Sequence, residues 1–309
     1  MTVSGAFEKM TTALELTPNE SNKASQQCEF LRASLREQLN VERDFISGSY
    51  ARSTAIRPLD DIDLFLVLGK QHAPLQQASP DGVLRLVQRA IKRIYPTAEL
   101  PIRQNRSVHI AFAGTGIGYD VVPAFAEGAY YLIPDRDSGR WIRSNPERHQ
   151  VLSTAANEAA NKKLKPLVKV AKHWNRRQPA KAVRSFHLEV MAGGILRGFT
   201  GSYAEGLAHL FAGLASAVMG RCPEPAGLGA DLDSDLSAAE RRAAGAAFGA
   251  AAQQARQALE LGAAGRTEEA HHVWRSLLGA EYPEAGRAPR PTTPTDTKPA
   301  PDHPRSRFG

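Results

Sequence analysis

The segment Asp61–Leu68 (DIDLFLVL) places two acidic residues at the start of an apolar run. Side chains alternate across a strand, so Asp61 and Asp63 project from one face while the residue between them turns to the other. The run from Phe65 onward is apolar without alternation, as expected of a strand that is covered on both faces. The sequence therefore predicts a buried strand that begins with two neighbouring carboxylates.

A third acidic residue, Asp120, lies in the strand-like segment GYDVVP. Like charges on one sheet face repel each other, and burying them is costly unless a cation lies between them. Mg²⁺ prefers oxygen ligands and is commonly held by one or two carboxylates together with substrate phosphates. Two such ions about 3.5–4 Å apart activate an attacking hydroxyl and stabilise a leaving oxygen. We expect Asp61, Asp63 and Asp120 to hold two Mg²⁺ ions, with Mn²⁺ as an alternative.

A glycine-serine turn, Gly48-Ser49, precedes the first two acids by about twelve residues. Glycine lets the backbone come close to a ligand, and serine adds N–H and hydroxyl donors for phosphate oxygens. We expect this turn to bind the phosphates of a substrate. For the nearby Arg52, two interpretations are open, a phosphate contact and a surface charge.

Strand and helix patterns alternate up to about Pro146, and only helix patterns follow. The periodicity predicts helices over Ser21–Leu39, Val83–Ile94, Val151–Trp174 and Phe186–Phe199, and strands over Phe45–Ile46, Ile62–Leu68, Ser107–Phe112 and Ile117–Val122. The Gly-rich link Ala113–Gly116 predicts a hairpin between the last two strands, and Pro123 is expected to end the second of them. A mixed region followed by helices alone predicts an α+β fold with two lobes.

These boundaries divide the chain of 309 residues into three parts. Residues 1–145 are expected to form a catalytic lobe that includes the long N-terminal helix. Residues 146–284 are expected to form a helical lobe that closes a nucleotide cleft. Residues 285–309, rich in proline, are expected to form a disordered, extended tail.

Composition and charge limit the partners and the cellular compartment that the sequence supports. The net charge of +7 is small for 309 residues, so a nucleic acid partner has only weak support. Two cysteines make no disulfide framework, which favours a reducing compartment. The longest small-apolar run, Ala243–Ala252, falls short of the roughly 18–20 residues that a membrane span needs. The N-terminus also lacks a secretory signal, so we expect a cytoplasmic protein without a membrane segment.

The spacing G-S-x₁₁-D-x-D, with a third aspartate on a later hairpin strand, resembles the polymerase-β-like nucleotidyltransferase superfamily. Four further segments narrow the resemblance to the bacterial cGAS/DncV-like nucleotidyltransferases: GYDVVPAF, YLIPDRDSGRWIRSNPERH, LKPLVKVAKHWNRR and SFHLEVM. The resemblance extends from about residue 20 to residue 195. It implies a bilobed fold and an enzyme that joins nucleoside triphosphates, ATP among them, into cyclic di- or trinucleotide signals in anti-phage defence.

The resemblance also implies roles for individual residues. Asp61, Asp63 and Asp120 match its metal-binding acids, and Ser49 matches the serine that holds the triphosphate. Lys172 and Ser185 match phosphate contacts from the helical lobe. A lysine suits phosphate binding as a point charge, although a solvated helix lysine is the alternative for Lys172.

Other functions remain open at this point. One alternative is template-independent addition of nucleotides to an RNA end, a small molecule or a protein. Another is a non-catalytic module that binds nucleic acid or a partner and keeps the fold, although the presence of all three acids argues against it. The tail over residues 285–309 suits docking or covalent conjugation by a regulatory protein, and an unused end is the alternative.

Overall fold

The computed structural model of the protein describes residues 1–112, 116–179 and 182–284. The predicted hairpin link at residues 113–115 and the predicted tail at residues 285–309 lie outside the described residues. Within the described ranges the helices are α1 (Val3–Ala13), α2 (Pro18–Gln38), α3 (Gly48–Ala51), α4 (Ala73–Gln76), α5 (Pro80–Ile94), α6 (Pro146–Ala159), α7 (Leu164–Arg176), α8 (Ser185–Ile195), α9 (Tyr203–Ala217), α10 (Ala238–Ala263) and α11 (Thr267–Leu278). The strands are β1 (Val41–Ile46), β2 (Asp61–Leu68), β3 (Ile102–Arg103), β4 (Val108–Phe112), β5 (Ile117–Glu127), β6 (Tyr130–Asp135) and β7 (Arg140–Ser144).

The strands form one sheet in the order β1-β2-β5-β4-β3, and β6 and β7 extend it from the far end of β5. β2 and β5 are parallel, and the other pairs are antiparallel. The pairing of β4 with β5 confirms the predicted hairpin strands. The mixture of strands and helices confirms the predicted α+β class.

Both faces of β2 are covered, as its apolar run predicts. On one face Ile62, Leu64 and Leu66 pack in a core with α2 and α5. On the other face Phe65 and Val67 join a smaller cluster with residues of β5 and β6. Since alternate residues share a face, the two acids at the start of β2 lie on the side of this smaller cluster. That side opens toward the helical lobe.

A second core holds the helical lobe together, with most of its members on α1 and α7–α11. Trp174 packs against Phe211 and Phe248, with ring centroids 4.9 and 5.3 Å away. Helix α1 belongs to this core: the fully buried Phe7 meets Trp274 edge-on at 4.9 Å. The first helix therefore departs from the predicted division, because its apolar face is buried against the helical lobe and not against the sheet.

Two local predictions differ from the structure, and two strands were not predicted. The predicted helix Val151–Trp174 is two helices, α6 and α7, because Asn161 and Lys162 take positive φ angles of 50° and 61° and interrupt the helical path. Pro123 does not end β5, which continues to Glu127. It stays in register with Leu66 of β2, but on the other edge of β5 it lies between the last residue paired with β4 and the first paired with β6, so no strand on that edge needs its missing N–H. The sequence patterns predicted neither β6 nor β7.

The described helices include none that combines the length and apolar character needed to cross a membrane.

Candidate active site

A large cleft lies between the two lobes, and the predicted site residues converge on it. The catalytic lobe contributes the start of β2, the middle of β5 and the Gly48-Ser49 turn, and the helical lobe contributes α7 and the start of α8. All eight predicted site residues line this cleft: Gly48, Ser49, Arg52, Asp61, Asp63, Asp120, Lys172 and Ser185. The sequence spacing alone could not show that residues more than a hundred positions apart share one cavity.

The three acids lie side by side because β2 and β5 pair in parallel. Asp63 is directly opposite Asp120, and Asp61 is opposite Gly118. Burial, with the charges of Asp61 and Asp120, raises the pKa of Asp63 to about 6. Burial, followed by the charges of Asp120 and Asp60, raises the pKa of Asp61 as well. The fold therefore keeps the ionised carboxylates close together although they repel each other. A cation between them would relieve this repulsion.

The donor set fits a hard divalent cation, because three carboxylates supply only oxygen ligands. Among the described residues, however, no three acidic, histidine or cysteine side chains are already gathered around one point. Asp120 has another partner, since its Oδ1 lies 2.8 Å from Nδ1 of His109 on the neighbouring strand β4. His109 fits there because Gly118 has no side chain: a Cβ at that position would lie 2.5 Å from the imidazole Cε1. No sequence motif pointed to His109 as a neighbour of the acids.

The Gly48-Ser49 turn lies directly against the second acid. Gly48 has a φ of +66°, and a Cβ there would lie 1.6 Å from Oδ2 of Asp63. The backbone N–H of Ser47 donates to the carbonyl of Asp63 over 2.8 Å, so the turn is fixed to β2. The backbone carbonyl of Ser49 accepts from the N–H groups of Thr54 and the following residue, at 2.9 and 3.1 Å. Glycine is required here by its positive φ and by the close approach of the carboxylate.

Lys172 and Arg52 are buried, so the surface interpretations of both residues are wrong. The Lys172 ammonium donates to Glu189 at 3.0 Å and to the carbonyl of Thr54 at 2.9 Å. Arg52 donates from Nε to the same Glu189 at 2.9 Å, and its guanidinium lies 4.6 Å from the ring centre of Phe186. Glu189 was missed from the sequence, although it is the only charged residue in an apolar helix segment.

Asp60 also lines the cleft, but its carboxylate is paired with the helical lobe. Its carboxylate binds Arg176 of α7 at 2.7 Å, and its side chain is 57% exposed. The opposite wall of the cleft comes from the loop between β3 and β4 and from β5 to β7, and it includes Arg106, Trp141 and Arg143. The cleft therefore combines an acidic centre with basic and aromatic walls, which suits a nucleotide with its phosphates directed at the centre.

Residues 1–157 match the Second Messenger Oligonucleotide or Dinucleotide Synthetase domain. The match covers half of the chain, including all three acids and the glycine-serine turn. The chain belongs to this family. It is a nucleotidyltransferase, and the resemblance found in its motifs is confirmed.

Relatives named as cyclic nucleotide synthases are similar to this chain over half of its length or more. A cyclic AMP-AMP-AMP synthase from Acinetobacter is 28% identical over 287 residues, which cover 84% of this chain and 80% of that protein. A CBASS oligonucleotide cyclase, CdnC from Escherichia coli, is 21% identical over 180 residues, covering 54% of this chain and 55% of the relative.

Solved structures of the same fold cover the two lobes. CdnC of E. coli MS115-1 with ATP has a TM-score of 0.75 at 19% identity and covers 92% of this chain and 99% of its own. The same protein in complex with HORMA-deltaN has a TM-score of 0.72 at 20% identity, with 89% and 96% covered. Vibrio cholerae DncV with the linear intermediate pppA(3′,5′)pG has a TM-score of 0.73 at 13% identity, with 88% and 93% covered. At these identities the likeness establishes the bilobed fold alone.

Proposed function

We propose that the protein joins nucleoside triphosphates, ATP among them, into a cyclic di- or trinucleotide and releases pyrophosphate. The product would act as a second messenger in bacterial anti-phage defence, in the cytoplasm. The observation that carries the proposal is the register of β2 and β5, which sets Asp63 opposite Asp120 beside the phosphate-binding turn. The activities of the relatives, a cyclic AMP-AMP-AMP synthase and a CBASS oligonucleotide cyclase, support a cyclic product.

The acids and the turn take separate roles in this proposal. Asp61, Asp63 and Asp120 would hold two Mg²⁺ ions, which when bound lower the pKa of an acceptor ribose hydroxyl and polarise the α-phosphate. Ser49 would bind phosphate oxygens through its backbone N–H and hydroxyl, and the bond from the Ser47 N–H to the carbonyl of Asp63 holds the turn beside the acids.

The helical lobe completes the phosphate site. Lys172 supplies a point charge from α7, and Ser185 supplies a hydroxyl at the first turn of α8, where the helix N-terminus favours an anion. The two lobes enclose the reacting groups and exclude water, which strengthens each of these contacts. Ring closure requires a linear intermediate to be turned within the cleft, and such an intermediate is bound by the structurally similar DncV.

Product analysis tests the proposal directly. The protein is incubated with all four nucleoside triphosphates and Mg²⁺, and the products are separated. Their masses are measured by mass spectrometry, and they are digested with nucleases of known linkage specificity. A product without free phosphate ends supports ring closure. Extension of an added RNA, or a labelled protein, would favour the alternative of template-independent transfer, and the absence of any product would contradict both.

The tail is the place where we propose that a regulatory protein acts, by docking or by conjugation. Its proline-rich sequence supports an extended segment, and E. coli CdnC has been solved with a HORMA-type partner. Deleting Pro289–Gly309 is expected to abolish partner binding while leaving basal nucleotide turnover within about twofold. Unchanged partner binding after the deletion would contradict this part of the proposal.

A further inference from the structure

Glu189 on α8 lines the cleft and pairs with cations from both lobes. Its Oε2 accepts from Nε of Arg52 at 2.9 Å, and its Oε1 accepts from Nζ of Lys172 at 3.0 Å. The side chains of Arg52, Glu189 and Lys172 are only 9%, 7% and 3% exposed. A glutamate is almost never buried to this degree unless it is paired, and here one carboxylate serves two cations.

The same cluster holds the C-terminal end of the segment that carries the phosphate-binding turn. Arg52 directly follows the short helix that begins at Gly48. Lys172 donates to the carbonyl of Thr54, and the N–H of Thr54 donates to the carbonyl of Ser49, both over 2.9 Å. Glu189 is therefore joined to the turn along two routes, one through Arg52 and one through Lys172.

The cluster holds more positive than negative charge, and this excess favours binding of an anionic ligand. One carboxylate faces two cations, so one positive charge remains in excess beside Asp63, whose pKa Arg52 and Lys172 pull downward. Burial lowers the pKa of the Lys172 ammonium, and the charges of Arg52 and Arg176 lower it further. Glu189 opposes all three effects on the pKa of Lys172 and keeps the two buried cations from repelling each other.

We propose that Glu189 is a positioning residue that holds Arg52, Lys172 and residues 48–54 in the arrangement that binds a triphosphate. The inference rests on the proposed function and deepens it. Glu189 acts on the substrate through its two partners and touches no reacting atom. Arg52 then anchors the turn to the helical lobe, because its Nε and one terminal nitrogen are directed at Glu189, and this role differs from the phosphate contact that was one of its two open interpretations.

The test is calorimetric binding of an ATP analogue with a non-hydrolysable α,β-methylene bridge, compared with binding of AMP. In Glu189→Gln the affinity for the triphosphate analogue is expected to fall at least about tenfold, as for loss of hydrogen bonds between charged groups. The affinity for AMP is expected to change by less than about twofold, since the cluster adjoins the turn that binds the outer phosphates. A merely structural role for Glu189 would weaken both ligands alike.

Two further variants keep the test decisive. Asp233→Asn removes another buried carboxylate of the helical lobe, one that bonds to Arg241 and to the backbone N–H of Cys222, and it should leave both affinities unchanged. Glu189→Asp keeps the charge but is one methylene too short to reach both cations, so its affinity for the analogue should lie between those of wild type and Glu189→Gln. If Glu189→Gln does not fold, the affinity of Glu189→Asp for the analogue tests the proposal in its place.

A double variant tests the route of action. If Glu189 acts through Lys172, then Lys172→Met combined with Glu189→Gln should lose less affinity than the two single losses together. The inference is overturned if Glu189→Gln and Glu189→Asp bind the analogue within twofold of wild type, if either binds it more tightly, or if AMP binding falls in parallel. Failure of the wild-type protein to bind the analogue would instead contradict the proposed function and, with it, this inference.

Discussion

Replacing Gly48 by alanine is expected to lower the activity far more than the stability. Glycine is required at this position for two independent reasons. Its φ of +66° costs an alanine about 1–2 kcal/mol, as for any L-residue in the left-handed region. The new Cβ would also lie 1.6 Å from Oδ2 of Asp63, whereas ordinary contacts begin at 3.4 Å. The carboxylate must therefore move by roughly 1.8 Å, or the turn must move away from β2 by as much.

The size of the activity loss follows from that displacement. A misplacement of about 1 Å at a reacting centre can cost about 100-fold in rate, so kcat/KM for triphosphate turnover should fall by at least about 100-fold in Gly48→Ala. The measurement is product formation with saturating Mg²⁺, together with the Tm of the same preparation.

Gly128 in the turn between β5 and β6 provides the matched control. Its φ is +62°, and a Cβ there would meet nothing within 4 Å. Gly128→Ala should therefore lose a similar amount of stability, about 1–2 kcal/mol, and keep nearly full activity. Equal activities of Gly48→Ala and Gly128→Ala would refute the reasoning, because backbone strain alone would then account for both.

Three other changes test the acids and the first helix. Because the pKa of Asp63 is raised to about 6, its ionised carboxylate destabilises the metal-free fold above that pH. Asp63→Asn removes this charge and should raise the free energy of unfolding at pH 7.5 by on the order of 2–3 kcal/mol. Denaturant titrations should show this gain shrinking as the pH falls from 6 to 4, and a constant gain would contradict the cause. Asp61→Ala is expected to abolish nucleotide product with an unchanged circular dichroism spectrum, and undiminished product would exclude the metal assignment. Phe7→Ala should lower the stability by about 3–5 kcal/mol in thermal and denaturant unfolding, whereas truncation of the 59% exposed Phe30 should cost less than about 0.5 kcal/mol.

The acidic centre could be predicted from the sequence because its determinants are local. The alternation of Asp61 and Asp63 and the apolar run behind them depend only on the period of a strand, and β2 has that structure. Asp120 needed one further step, the pairing of its strand with β2, and the parallel register supplies it. The need for glycine at position 48 was expected from ligand approach, whereas the closest atoms in the structure are those of Asp63 itself.

The parts that could not be predicted depend on contacts between distant segments. No periodicity indicates that Phe7 packs on Trp274, since either lobe could bury an apolar face of α1. Glu189 and His109 are defined by the partners that the fold brings to them, although a single glutamate in an apolar helix was a usable signal of a buried ion pair. The break between α6 and α7 arises from left-handed residues other than glycine, which local propensity does not favour.

The packing of α1 on α11 has a consequence for the synthesis of this enzyme on the ribosome. The carbonyl of Met1 accepts a hydrogen bond from the ring of His271, a partner 270 positions later. At about 5–20 residues per second, the ribosome needs roughly 13–55 s to produce that partner after α1 has been made. In the later part of this interval, once Ser144 at the end of β7 has been added, the catalytic sheet has its whole sequence available, but the helical lobe cannot yet close its core. A nascent chain therefore has the residues of its acidic centre before it has a complete cleft, and we expect turnover of triphosphates to begin only after α11 has been made.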